Sequence, residues 1–144
     1  MRIVLVGASG TIGQAVAKEL GARHEIVAVG SKSGEVRMDV TDAASVRAGF
    51  EAIGRCDAVV STVGKVKFAP LAEMTEADCA LGLKNKLMGQ VNLVLIGCPF
   101  VSDGGSFTPT SGVLSHEPVS GERVALAYAK SVEGARTGQV LEVL

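Results

Sequence analysis

Three glycines spaced by three, Gly7, Gly10 and Gly13, stand between the apolar run Ile3-Val4-Leu5-Val6 and the amphipathic stretch Gln14-Ala15-Val16-Ala17-Lys18-Glu19-Leu20. The chemistry open to such a pattern is the holding of a pyrophosphate. Gly7 lets the chain turn sharply, Gly10 omits a side chain where phosphate must come near, and Gly13 lets a helix pack close on a strand. A helix starting here offers unpaired N–H groups and the positive end of its dipole. Ser9, Thr11 and Ile12 complete the candidate loop. Framed by a strand and a helix, the loop points to a dinucleotide site; a purely structural turn is the alternative.

The second group follows the next apolar run, Glu25-Ile26-Val27-Ala28-Val29, at Gly30-Ser31-Lys32-Ser33. In a dinucleotide-binding sheet this point meets the ribose 2′-position. An acidic side chain there grips a 2′-hydroxyl, whereas basic and hydroxyl groups accept a 2′-phosphate. Ser31, Lys32 and Ser33 without a carboxylate favour NADP over NAD, the alternative being a solvated turn lysine. Further along, Asp39 and Val40 could meet an adenine, although Asp39 reads equally as a helix cap. Ser61, Thr62 and Gly64 would close over the nucleotide, with Gly64 allowing close backbone approach.

These groups need a layered scaffold to hold them. Strands are predicted near 2–6, 25–30, 35–39, 57–62, 105–110 and 138–143, and helices near 11–21, 43–53, 75–97 and 121–133. Strand–helix alternation predicts an α/β fold, a Rossmann-like doubly wound parallel sheet in three layers. Thr41 or Asp42 is a fitting N-cap for the second helix. Pro109 sits awkwardly inside the fifth strand, and Ser102-Asp103-Gly104-Gly105 reads as a turn into it.

The chain of 144 residues is long enough for one domain with a proper core, and its 47% hydrophobic but 3% aromatic content suits aliphatic layer packing. A net charge of −1 gives no reason to expect nucleic acid or membrane as partner. Cys56, Cys79 and Cys98 lack metal-ligand spacing and read as buried, reduced thiols of a cytoplasmic protein. No metal is expected, and no segment reads as a signal peptide or membrane span. His116-Glu117 near Ser111 invites a hydrolase reading, but no Gly-x-Ser-x-Gly elbow is present.

Taken together, these motifs resemble the short-chain dehydrogenase/reductases, and more closely their compact bacterial members. The resemblance is carried by Gly7-x-x-Gly10-x-x-Gly13, Asp39-Val40-Thr41-Asp42, Ser61-Thr62-Val63-Gly64, the segment Gly105 to Ser111, and Thr137-Gly138-Gln139-Val140-Leu141-Glu142-Val143. It covers nearly the whole chain. It implies NADP-dependent hydride transfer to or from a small carbonyl or alcohol, with Ser111 in the place of the family's catalytic serine. The position of the family's helical Asn falls on Lys86, next to Asn85, and Lys86 itself reads as solvated.

One departure is serious. The family's Tyr-x-x-x-Lys is not found: the chain's single tyrosine lies in Tyr128-Ala129-Lys130. Residues two apart on a helix are rotated by about 200° and point to opposite sides. Tyr128 therefore reads as a core residue. Relative to the family, one helix–strand unit is missing between Val119 and Glu122, either because the protein is a true short form, leaving a sheet of expected order 3-2-1-4-5-6, or because this sequence omits a segment that the parent protein has. The alternative function is a non-catalytic NADP-binding module or redox sensor, and homo-oligomerisation stays open.

Overall fold

The structure is a computed structural model that describes residues 1–111 and 121–134. Five parallel strands run in the order β3-β2-β1-β4-β5. They are β1 (Arg2–Val6), β2 (Glu25–Gly30), β3 (Val36–Arg37), β4 (Cys56–Ser61) and β5 (Val101–Thr108). The helices are α1 (Thr11–Gly21), α2 (Ala43–Ile53), α3 (Glu76–Gly82), α4 (Gly89–Gly97) and α5 (Gly121–Glu133). This order matches the expected one as far as it reaches; the predicted strand 138–143 and the loop 112–120 lie outside the described residues.

β1 is apolar throughout because both its faces are covered. Val4 and Val6 join Val46, Phe50 and Leu93 in one core, beneath α2 and α4. Ile3 and Leu5 join Val16, Leu20, Ala125, Tyr128 and Val132 in the other, beneath α1 and α5. Alternate residues of a strand point to opposite faces, so one five-residue strand organises both layers. The strand order reverses between β1 and β4, which creates the switch point where open α/β sheets bind ligands at their carboxyl ends.

Four expectations are corrected. The predicted helix 75–97 is divided: α3 passes through a π-helical segment, Leu83–Met88, before α4 begins. β5 starts at Val101, so the glycine-rich stretch read as a turn is its first half. There Gly104 adopts φ 78 and the pairing with β4 shifts register between Cys56 and Ala58. Such a bulge absorbs glycines within a strand. β5 then ends at Thr108, which places Pro109 beyond the ladder and removes the conflict with a central strand. Of the three cysteines Cys56 alone is buried; Cys79 and Cys98 are exposed.

Candidate functional site

The turn from β1 into α1 is fixed by the glycines for different reasons. Gly7 has φ 92, and a Cβ there would lie 2.6 Å from Thr62 Oγ1. Its N–H donates to the Val29 carbonyl at 2.8 Å, and Thr62 Oγ1 donates to the carbonyls of Val6 and Gly7, each at 3.1 Å. A Cβ on Gly13 would overlap the Gly7 carbonyl oxygen and lie 2.8 Å from Ala8 Cα, so no larger residue fits. Gly10 differs. Its backbone is extended (φ −74, ψ 165), and the one atom near an added Cβ is the Gly7 oxygen at 3.4 Å. The protein's own packing scarcely requires glycine here.

Gly10 is also the N-cap of α1. It offers no side-chain cap, and the first turn of α1 holds no acidic residue. Ser9, Gly10 and Thr11 are exposed, Ile12 turns its side chain toward the α1–α5 core, and Gly13 is buried. What the loop presents outward is therefore main-chain N–H groups at the positive end of a helix dipole, next to the switch point. Gln14 Nε2 donates to the Ser9 carbonyl at 2.9 Å and holds the loop down.

Ser31, Lys32 and Ser33 are exposed just past the end of β2. The nearest acidic residue in sequence, Glu35, accepts the Ala28 N–H at 3.2 Å, which ties it to the strand before the tip. Asp39 is exposed, and its Oδ1 accepts both Thr41 N–H (2.9 Å) and Thr41 Oγ1 (2.8 Å). Those two hydrogen bonds, the backbone one foremost, hold the carboxyl below its ordinary pKa. The cap of α2 is Asp42, which accepts Ala44 N–H at 3.0 Å, so Asp39 builds the turn before the helix. Val40 is buried in the α2–α4 core and its carbonyl accepts Asn92 Nδ2 at 3.0 Å.

At the end of β4, Ser61 is buried, and among the described residues its Oγ finds no hydrogen-bond partner. Thr62 braces the first turn. Gly64 has φ 134, and a Cβ there would lie 2.9 Å from Lys86 Cα and run into the Lys86 side chain. The closest approach to Gly64 is thus made by Lys86. The lysine is half-buried, not solvated, and its Nζ donates to the Val63 carbonyl at 3.3 Å. Burial lowers its pKa.

Ser111 is exposed, beyond the end of β5 rather than on it. It follows Thr110, which sequence reasoning missed. Gln90 clamps this residue on both sides: Thr110 N–H donates to Gln90 Oε1 at 2.6 Å, and Gln90 Nε2 donates to the Thr110 carbonyl at 2.8 Å. Gln90 and Asn92 are the amides of an otherwise apolar α4, the signal that could have revealed them. Thr110 Oγ1 and Tyr128 OH both donate to the Ser61 carbonyl, the latter at 3.2 Å. Tyr128 is buried, and desolvation pushes its pKa up to about 12; Lys130 is exposed on another side of α5. His24 pairs with Glu133 at 2.9 Å, and no metal-binding cluster exists among the described residues.

A parallel sheet with a glycine-rich first turn, an uncapped α1 and an open switch point defines a Rossmann protein of dinucleotide-binding type. Residues 3–94 match the model of the NAD dependent epimerase/dehydratase family, and the chain belongs to that family of short-chain dehydrogenase type. The protein lin1944 from Listeria innocua is 32% identical with a TM-score of 0.90, over 96% of each chain. A small-chain dehydrogenase is 27% identical (TM-score 0.71), matched over 92% of this chain and 64% of its own. A small-chain dehydrogenase solved in complex with NADPH is 27% identical (TM-score 0.72), over 88% of this chain and 57% of its own. The chain thus spans less than two thirds of those two dehydrogenases. No curated protein matches it.

Proposed function

We propose that the chain binds a nicotinamide dinucleotide, NADP in preference to NAD, and serves hydride transfer to or from a small carbonyl or alcohol. Family membership and the NADPH-bound relative support a nicotinamide cofactor. One observation of this molecule carries the reading: Gly10 is a glycine that the polypeptide's packing scarcely needs, at the head of an uncapped helix. A side chain there would fill the cradle in which a pyrophosphate would rest, so the residues fit the group.

When bound, the cofactor would supply or accept hydride. Main-chain N–H groups of Thr11, Ile12 and Gly13 would hold its phosphates, and Ser31, Lys32 and Ser33 would receive a 2′-phosphate. Asp39 Oδ2 would accept from the adenine amino group. The side chain of Val40 is committed to the core, so its part would be played by backbone. Thr62 and Gly64 shape the floor beneath the second nucleotide half, and Ser61 acts from below through the contacts of its carbonyl. Ser111 would hydrogen-bond the reacting oxygen. The exposed leucines Leu83, Leu87 and Leu95 support pairing of two copies.

A second reading, a non-catalytic NADP-binding module or redox sensor, is favoured by Tyr128, whose buried hydroxyl is spent on the Ser61 carbonyl. Titration with NADPH and NADH, followed by a panel of small carbonyl compounds, separates the two. Binding with cofactor oxidation supports the enzyme; binding alone supports the module; retention of neither dinucleotide refutes both.

A further inference from the structure

Reduction of a carbonyl adds a hydride, with its electron pair, to carbon and a proton to oxygen. The hydride would come from the reduced nicotinamide; the proton must come from the chain or from water. Tyr128 is no source, since it is buried, donates to the Ser61 carbonyl and holds its proton up to about pH 12. Asp39 is held ionised by Thr41. Lys65, Lys67 and Lys84 are exposed, and Lys67 is paired with Asp78 at 2.9 Å.

Lys86 stands apart from these. Its stem packs on Gly64, directly past β4, and its Nζ reaches the Val63 carbonyl at 3.3 Å. An ammonium has three donors, and among the described residues Val63 is the one acceptor on it. No carboxylate pairs with it there either. Its backbone belongs to the π-helical segment Leu83–Met88, a distortion often found at functional positions. The amine sits past β4, on the far side of the switch point from the α1 turn, where the second half of a dinucleotide must cross.

We propose that Lys86 is the proton donor of this site: its ammonium gives the reacting carbonyl oxygen a proton as the carbonyl carbon accepts hydride. The carbon–oxygen π pair becomes the new O–H bond, the amine is left neutral, and water reprotonates it. In the reverse direction the neutral amine takes the alcohol proton. The assignment rests on the dinucleotide-binding reading above. Burial is the sole cause that lowers the Lys86 pKa; Asp39, Lys65 and Lys84, the charged groups on the neighbouring segments, do not shift it.

The test uses the full chain and three variants, Lys86→Arg, Lys86→Met and Lys86→Gln. NADPH fluorescence titration reports binding, and competitive acylation followed by mass spectrometry reports the Lys86 amine across pH. We expect Lys86 to acylate at lower pH than a free lysine amine and to be shielded several-fold by bound NADP. The arginine variant should bind NADPH within about threefold of wild type yet reduce carbonyls roughly 100-fold more slowly, because guanidinium does not release its proton. Wild-type reduction should fall as pH rises through the Lys86 titration, whereas the methionine and glutamine variants lose that step. Variants that reduce at the wild-type rate, a Lys86 that titrates like a free lysine amine, or bound NADP that leaves it unshielded would each overturn the assignment. Wild type that binds NADPH but reduces nothing overturns the proton role and leaves the binding reading intact. Failure to bind any dinucleotide removes both.

Discussion

Three helices of this molecule start in two different ways. α2 and α3 satisfy their own first turns: Asp42 accepts Ala44 N–H, and Thr75 with Asp78 forms a reciprocal capping box. α1 begins at Gly10 with no cap and no acidic side chain in its first turn. A side-chain cap contributes about 1 kcal/mol to a helix. The helix that forgoes it is the one whose N-terminus meets the switch point of the sheet. Of these three helices α1 alone is left without a side-chain cap; on the reading proposed above, its main-chain donors are kept for a ligand.

The sharpest way to break that comparison is to cap α1. Gly10→Asp places a good capping residue at an extended backbone position with room for its Cβ. The free protein should gain a few tenths of a kcal/mol in urea unfolding. Affinity for NADPH should fall by about 100-fold or more, because a carboxylate would face the pyrophosphate. A variant that binds as tightly as wild type would sever the link between the bare helix end and phosphate.

Lys32→Asp comes next, with an expected loss of about tenfold for NADPH and little change for NADH, one charge-assisted contact being exchanged for repulsion. An unaltered ratio of the two dissociation constants would take Lys32 out of the site. Removing the cap from α2 by Asp42→Ala is the converse of the first experiment. Stability should drop by about 1 kcal/mol while NADPH affinity stays put; a matching loss of affinity would show that the two helix ends are not separate in kind.

A last test, silent at neutral pH, lies behind β4. Burial raises the pKa of Tyr128, the chain's single tyrosine, from the ordinary 10.0 to about 12. The folded state then keeps a proton that the unfolded chain releases. The stability from this group is complete below pH 10.0 and is lost as pH climbs through about 12. With no tryptophan present, ultraviolet absorbance follows tyrosinate directly. A titration midpoint at the ordinary value would mean that the hydroxyl is solvated and open to chemistry after all.

The first turn was legible because its signals are local: an apolar run, glycines three apart and a helical period lie within 20 residues. The sheet order followed from alternation and connection rules for the same reason. Lys86 was not legible. A lysine on a helix is ordinarily solvated, and its burial comes from Gly64, 22 residues earlier, letting the helix settle on the β4 exit. Gln90 and Thr110 pair across 20 residues, a distance at which sequence carries no register. The start of β5 was misplaced because Gly104 and Gly105 have turn chemistry, while the bulge opposite Cys56–Ala58 admits them to a strand. Asp39 kept two readings in the sequence, and the structure shows one oxygen spent on Thr41 with the α2 cap made by Asp42.

The Ser61 carbonyl accepts hydroxyls from Thr110, just past the end of β5, and from Tyr128 on α5. On the proposed reading, the platform under the cofactor is thereby levelled from the rear, by a helix none of whose described side chains is assigned to the ligand. A thicker residue at Ala125 or Ala129, both buried in the same core as Tyr128, should thus tilt a bound molecule without deleting a single contact to it.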